Sequence, residues 1–150
     1  MTFQYIVNHF FFIYLLEDDN VGKTYLIAWK IVRAYRYKCR IFYHPLSFVP
    51  KHMGIQYRLN HTLKRRDNCG PYACFMSLET ALMFLRAIGK RYQKSIVIMK
   101  CLIVISEDKG LWIKNDTTFR GRKQRRTTYR KLPQGTILAD EVLPFQIEAI

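Results

Sequence analysis

The sequence lacks several features that mark large classes of protein. Its four cysteines have no regular spacing, so the disulfide framework of a small secreted domain is not expected. Residues 5–16 are almost entirely apolar, yet this run is shorter than the roughly 20 residues that a membrane-spanning helix needs. The run also lacks the basic start and the small-residue cleavage site of a signal peptide. We therefore expect an intracellular protein of a reducing compartment, the cytoplasm or the nucleus, without membrane insertion.

Acidic residues are scarce in the middle of the chain, where basic residues are dense. The chain has 25 Lys and Arg against 11 Asp and Glu, and its formal net charge is +14. All 25 basic residues lie between Lys23 and Lys131, where only five acids oppose them, so this stretch carries a net charge of +20. The other six acids lie in the two flanks. This distribution favours nucleic acid, or another polyanion, as the partner.

The remaining composition predicts a folded single domain. Hydrophobic residues make up 49% of the chain, which excludes the composition of a disordered protein, and 150 residues suit one core. We predict an apolar and then acidic N-terminal segment, residues 1–20, followed by a basic α+β core, residues 21–150. The apolar part of that segment either packs on its own domain or contacts a protein partner.

Hydrophobic periodicity predicts one main amphipathic helix at about residues 78–88. Ser77 is suited to cap its N-terminus, and Gly89 marks its end. Apolar residues recur at helical spacing within it, namely Leu78, Ala81, Leu82, Leu85 and Ile88. Strands are predicted at residues 24–33, 35–43, 95–105 and 136–145. The expected fold class is α+β, a mixed or mainly antiparallel sheet with this one helix.

The second predicted strand has a marked alternation. Tyrosines alternate with Arg36, Lys38 and Arg40, which predicts aromatic side chains on one face and basic side chains on the other. A helix over residues 26–36 stays open, because no Gly or Pro separates the first two runs. A long connection over residues 44–70 follows.

Two short segments are the candidate polyanion contacts. One is the basic triplet at 64–66, and the other is residues 120–131, which hold seven basic residues and no acid. Tyr129 in the second segment could stack on a base. The predicted polyanion-binding residues are Lys64, Arg65, Arg66, Arg120, Arg122, Lys123, Arg125, Arg126, Tyr129, Arg130 and Lys131.

A second group of residues carries a resemblance to a known family. The group comprises Ile41-Phe42-Tyr43-His44, Gly54-Ile55, Gly70-Pro71-Tyr72-Ala73, Ser77, Ala81 and Glu141-Val142-Leu143. In this order, they resemble the layout of the ADP-ribosyltransferase fold. The same layout resembles small uncharacterised proteins of phages and large DNA viruses, which makes association with a virion an alternative location.

The first resemblance implies an enzyme that uses NAD as cofactor. His44 would hold NAD, Tyr72 would stack on it, and Glu141 would be the catalytic acid. The chain departs from the family at Pro45, where the family has Gly and uses its N–H to bind the nicotinamide amide.

The residues leave three functions open. The leading prediction is a non-enzymatic module that binds nucleic acid, or another polyanion, without strong sequence selectivity and needs no cofactor. The alternatives are an ADP-ribosyltransferase-like enzyme and a structural component of a virion or other assembly. No metal site is expected, because the spacing of Cys39, His44, Cys69 and Cys74 is looser than that of structural zinc sites.

Overall fold

The structure is a computed structural model. It describes residues 3–8, 11–16, 23–45, 55–67, 69–88, 95–111, 118–119, 122–123 and 132–148. The described strands are β1 (Phe3–Asn8), β2 (Phe11–Leu16), β3 (Lys23–Tyr37), β4 (Arg40–Pro45), β5 (Leu63–Lys64), β6 (Tyr72–Phe75), β7 (Ile96–Ile105), β8 (Thr118–Phe119), β9 (Arg122–Lys123) and β10 (Thr136–Glu148). The described helix is α1 (Leu78–Ala87).

The seven strands β1 to β7, together with β10, form one antiparallel sheet, and β8 and β9 form a separate pair. Every register within it is antiparallel, so the prediction of an α+β fold with a mainly antiparallel sheet and one main helix is confirmed. β1 and β2 form a hairpin whose second strand pairs with β3 through Ile13↔Leu26 to Leu16↔Lys23. The apolar N-terminal segment is thus an extension of the sheet.

Four strands of the sheet close into a ring, in the order β3, β7, β10, β6. Trp29 of β3 pairs with Lys100 of β7 on one edge and with Phe75 of β6 on the other. Ala139 of β10 likewise pairs with Ile105 of β7 and with Tyr72 of β6. A closed ring leaves fewer free strand edges than an open sheet.

Small side chains fill the interior of this ring. Ala28, Cys74, Cys101 and Ala139 are fully buried, beside larger residues such as Met99. Small residues are needed here because four strands enclose little volume and a small barrel is filled by its own side chains. The near-continuous apolar sequence of β7 follows from its position, with one face toward the interior and part of the other face under α1.

The helix α1 covers the outer face of the ring. Ser77 caps it, because the Ser77 hydroxyl accepts a hydrogen bond from the Thr80 N–H while the Thr80 hydroxyl contacts the Ser77 N–H. Ala81 and Leu85 of α1 pack against Ile31 and Ile98 on the outer face of the sheet. The predicted boundaries, about 78–88, agree with the observed ones.

The predicted second strand is wrong in its limits. Residues 35–43 do not form one strand, because β3 continues to Tyr37 and the chain turns at Lys38 and Cys39 before β4 begins. Lys38 has φ of 53°, a left-handed conformation that Asn or Gly adopts more readily. With neither residue present, the sequence carries no turn signal. The alternative helix over 26–36 is also wrong, since those residues belong to β3.

Candidate functional site

The β3–β4 hairpin extends beyond the ring. Pairing between β3 and β7 ends at Arg33↔Ile96, whereas pairing between β3 and β4 continues to Tyr37↔Arg40. Among the described residues, the distal part of the hairpin is therefore a two-stranded ribbon. We call residues 33–44 the arm. At its base, Tyr43 is held by a bridge to Tyr57, whose N–H donates to the Tyr43 carbonyl at 2.9 Å.

The arm is strongly and uniformly basic. It contains Arg33, Arg36, Lys38 and Arg40, and it contains no acid. All four of these side chains are exposed. The nearest acids along the chain are Asp19 and Asp67, so the arm stands within a long stretch without negative charge. Positive potential concentrated on such a ribbon attracts a polyanion.

One face of the arm combines aromatic rings with cations. Residues directly opposite each other in an antiparallel pair point to the same side, and alternate residues along a strand do so too. The observed pairs Arg33↔His44, Tyr35↔Phe42 and Tyr37↔Arg40 therefore all lie on one side. We call these six residues the aromatic face. It continues the face of β3 that carries Ile31, against which α1 packs.

The turn changes the expected distribution of side chains. The sequence pattern predicted tyrosines on one face and basic residues on the other, and this is wrong because the strand reverses at Lys38. Reversal places Arg40 beside Tyr37, and Arg36 beside Ile41 on the opposite face. The Lys38 ammonium lies 5.6 Å from the centroid of the Tyr37 ring. Aromatic and cationic groups are thus interleaved.

The rings of the aromatic face are open to solvent. Tyr35 is 55% exposed and Tyr37 is 56% exposed, while Phe42 is half-buried. On the opposite face, Ile41 is also exposed. Single exposed apolar residues are ordinary, but several large ones grouped on a projecting ribbon indicate a binding surface.

The predicted basic triplet is divided by the fold. Lys64 and Arg66 are exposed, but Arg65 is half-buried and pairs with two carboxylates. Its Nη1 lies 2.6 Å from Asp108 Oδ2 and 3.1 Å from Asp140 Oδ1, the second contact being an ion pair without hydrogen-bond alignment. The Arg65 guanidinium thus stabilises the packing of this region, and much of the local positive charge is compensated.

The other predicted segment, 120–131, lies almost entirely outside the described residues. Those outside are Arg120, Arg125, Arg126, Tyr129, Arg130 and Lys131. Arg122 and Lys123 form β9, whose backbone pairs with Phe119 and Thr118 of β8. Polyanion contact by this segment stays a prediction.

The three residues suggested by the family resemblance are not brought together. His44 pairs with Arg33, which pairs with Ile96 at one end of β7, whereas Glu141 pairs with Val104 near the other end. Eight residues of β7 separate these positions, about 26 Å at the usual rise of a strand. The described residues His44, Tyr72 and Glu141 therefore do not line one shared cleft for NAD.

Tyr72 and Glu141 each have structural partners. The Tyr72 hydroxyl donates to the Lys64 carbonyl at 3.0 Å, its ring packs edge-on against Tyr57, and burial raises its pKa to about 12. Glu141 accepts a hydrogen bond from Lys23 Nζ at 2.8 Å. A buried ring with its hydroxyl engaged is not available to stack on a cofactor, and we derive no catalytic step from these residues.

The ring interior also holds a charged group that sequence reasoning missed. Lys30 points inward from β3 and donates a hydrogen bond to the Ala73 carbonyl at 2.5 Å. Burial lowers its pKa, an effect that Cys74 and Cys101 partly oppose. The same burial keeps both thiols protonated by raising their pKa. The alternation of β3 places Lys30 between Ala28 and Val32, which could have signalled an inward lysine.

Two further findings concern only the described part of the chain. Within it, no group of three or more His, Cys, Asp or Glu side chains is placed to hold a metal ion. The described residues also contain no helix that is long and apolar enough to cross a membrane, since α1 has only 10 residues.

Comparisons with known proteins place no further constraint on the site. No protein-family model, curated protein or solved structure matches this chain. Functional inference therefore rests on the geometry of the arm and the ring.

Proposed function

We propose that this protein is a nucleic-acid-binding module without strong sequence selectivity, and that the arm is its main contact. The observation that carries the proposal is the exposure of Arg33, Arg36, Lys38 and Arg40 on a ribbon that contains no acid. Each guanidinium or ammonium can neutralise a phosphate and release a counterion. The net charge of +14 supports the same class of partner.

Weak sequence selectivity follows from the chemistry of these groups. Arginine and lysine contacts to phosphate fix the position of a protein on nucleic acid but read no sequence. Sequence-specific reading needs side chains held in defined geometry against base edges. Among the described residues, the exposed Arg33, Arg36 and Arg40 have no hydrogen-bond or ion-pair partner that would hold them in such a geometry, and they suit backbone contact.

The test is a salt titration of binding to a random-sequence oligonucleotide, as single strand and as duplex. If the four arm cations each contact one phosphate, the logarithm of duplex affinity should fall with the logarithm of salt concentration with a slope of roughly −3.6. The arm charge variant Arg33→Gln/Arg36→Gln/Arg40→Gln should reduce the magnitude of that slope by about 2 to 3.

A matched control variant separates the contribution of the arm to binding from the effect of total net charge. The variant Arg58→Gln/Arg86→Gln/Lys109→Gln also removes three exposed positive charges, but none of them lies in the arm. We expect it to keep most of the affinity and of the salt slope. Equal losses in the two variants would show that the arm has no special part, and absence of binding by the wild type at low salt would end the proposal.

A further inference from the structure

The aromatic face of the arm has a composition that charge alone does not explain. Phosphate binding needs only cations, yet three rings, Tyr35, Tyr37 and Phe42, stand on the same side as Arg33 and Arg40. Keeping two tyrosines more than half exposed leaves apolar area in water, which is unfavourable unless a partner covers it. The aromatic face therefore suits a partner that has flat apolar surfaces for the rings and negative charge for the cations.

Unpaired nucleotides have that combination. Every base has a π-face that can stack on an aromatic side chain, and each is joined to a phosphate. In a duplex, those faces are already covered by neighbouring base pairs, and only base edges and backbone are accessible. We propose that the aromatic face binds single-stranded nucleic acid by stacking unpaired bases on Tyr35, Tyr37 and Phe42. This inference rests on the proposed function and names its substrate class.

The spacing within the face suits successive bases. Tyr35 and Tyr37 are two residues apart on one strand, about 6.8 Å along it, and Phe42 stands directly opposite Tyr35. Arg33 precedes Tyr35 on the same side of β3, and Arg40 stands directly opposite Tyr37. A nucleic-acid strand that follows the face along the arm would meet Arg33 first, then the rings of Tyr35 and Phe42, and then Tyr37 with Arg40 beside it, so that a cation lies near the phosphates at each end of the stacked bases.

The distribution of charge favours nucleic acid over a lipid surface. A protein face that enters a membrane interface gathers apolar residues on one side and cations on the other. Here Arg33 and Arg40 share the side of the rings, and Arg36 lies on the opposite side with Ile41. A second copy of the arm is disfavoured as well, because two uniformly basic ribbons repel each other.

The experiment compares two variants of the full chain on a mixed-sequence 15-nucleotide DNA, as single strand and as duplex. The aromatic variant is Tyr35→Ala/Tyr37→Ala, and the arm charge variant is the triple glutamine variant described above. Wild type should bind the single strand more tightly. The aromatic variant should lose about tenfold or more on the single strand, with less than about twofold change on the duplex. The arm charge variant should lose affinity for both.

A conservative variant keeps the test independent of folding. Tyr35→Phe/Tyr37→Phe retains the rings and removes the hydroxyls, so it should bind the single strand within about threefold of wild type if stacking is the source of affinity. Circular dichroism and urea unfolding check that each variant is folded. A large loss in the phenylalanine variant would show that the hydroxyls, not the rings, make the contact, and would overturn the inference.

The outcomes separate the two proposals. If the arm charge variant loses affinity while the aromatic variant binds single strands like wild type, the arm is a phosphate-binding ribbon and only the stacking inference is wrong. If neither variant differs from wild type, the proposed function is wrong as well. Tyrosine-dependent binding to vesicles of equal phosphatidylcholine and phosphatidylserine, without preference for single-stranded DNA, would indicate a membrane surface as the partner and overturn the inference.

Discussion

In the interior enclosed by β3, β7, β10 and β6, the ammonium nitrogen of Lys30 lies 5.4 Å from the centroid of the Tyr57 aromatic ring. Tyr57 is itself fully buried, and its hydroxyl has no hydrogen-bond partner among the described residues. A cation and an unsatisfied hydroxyl in one small interior oppose folding, because each loses hydration that its few partners replace only in part. Burial of these two polar groups therefore lowers the stability of the fold.

We expect the substitution Lys30→Met to stabilise the fold. Methionine has a similar volume and no charge to desolvate, so the free energy of unfolding at neutral pH should rise by about 1–3 kcal/mol. Urea unfolding measures this change. Lys109→Met, at an exposed position, is the matched control and should stay within about 0.5 kcal/mol of wild type. A destabilised Lys30→Met protein would show that the hydrogen bond to Ala73 outweighs the cost of burial.

The same lysine should give stability a pH dependence. Burial lowers its pKa in the folded state, whereas the unfolded chain holds the proton up to about pH 10.4. Between those two values the unfolded state binds more protons, so the free energy of unfolding should rise with pH in that window. Raised pKa values of Cys74 and Cys101 act in the opposite direction above about pH 8.5, and because Lys30 partly lowers both, their pKa should be raised further in Lys30→Met, which destabilises that variant more at high pH. The difference between the two proteins should therefore shrink as pH rises, and a constant difference would contradict this.

Arg65 is expected to matter for stability more than for binding. Arg65→Ala breaks its contacts with Asp108 and Asp140 and should lower the free energy of unfolding by about 1–2 kcal/mol, a modest value because the side chain is partly exposed. Arg65→Lys should restore only part of it, since both contacts come from one nitrogen, Nη1, and the shorter lysine side chain does not bring its ammonium to the same position. Nucleic-acid affinity should fall less than in the arm charge variant. A larger fall, with stability unchanged, would assign Arg65 to the binding surface.

Cys39 should report on occupancy of the arm. It is exposed at the turn, whereas Cys69, Cys74 and Cys101 are buried. In the native protein, N-ethylmaleimide should therefore modify one thiol rapidly, and Cys39→Ser should abolish that phase. Bound nucleic acid should slow the reaction at Cys39, as measured by mass spectrometry at low salt, and high salt should restore the rate. Unchanged labelling under saturating oligonucleotide would place the contact elsewhere.

The cap of α1 offers a local test of the fold. Ser77→Ala removes the acceptor for the Thr80 N–H and should cost about 1 kcal/mol in unfolding free energy, whereas Ser77→Asp should retain most of the cap. Thr62→Ala, at an exposed loop position, is the control and should be close to neutral. A neutral Ser77→Ala result would show that packing on Ile31 and Ile98 alone fixes the start of the helix.

Sequence patterns predicted the helix and strands that are marked by neighbouring residues, such as a cap or a run of apolar residues. The helix at 78–87 has a cap and a continuous apolar periodicity, and β7 is an apolar run broken only by Lys100, so both were found within a residue or two. The final strand was found at its start, Thr136, but it continues to Glu148. Bulges near Ala139 and Pro144 interrupt its alternation, which explains why its end was missed.

The parts that sequence could not predict depend on non-local pairing. Closure of the ring requires β6 to pair with both β3 and β10, and no spacing in the sequence encodes those partners. The arm was hidden because its turn, Lys38-Cys39, lacks the usual turn residues. Arg65 looked like a surface cation because Asp108 and Asp140 are distant in sequence.

The strand β3 runs from Lys23 to Tyr37 with neither glycine nor proline, first as a wall of the ring and then as one half of the arm. The arm therefore has no built-in hinge on this strand. The relative positions of its side chains are therefore set before a partner binds. Binding then costs less conformational entropy than it would for a flexible basic tail. An oligonucleotide would bind a preformed surface whose orientation relative to the ring of strands is already set.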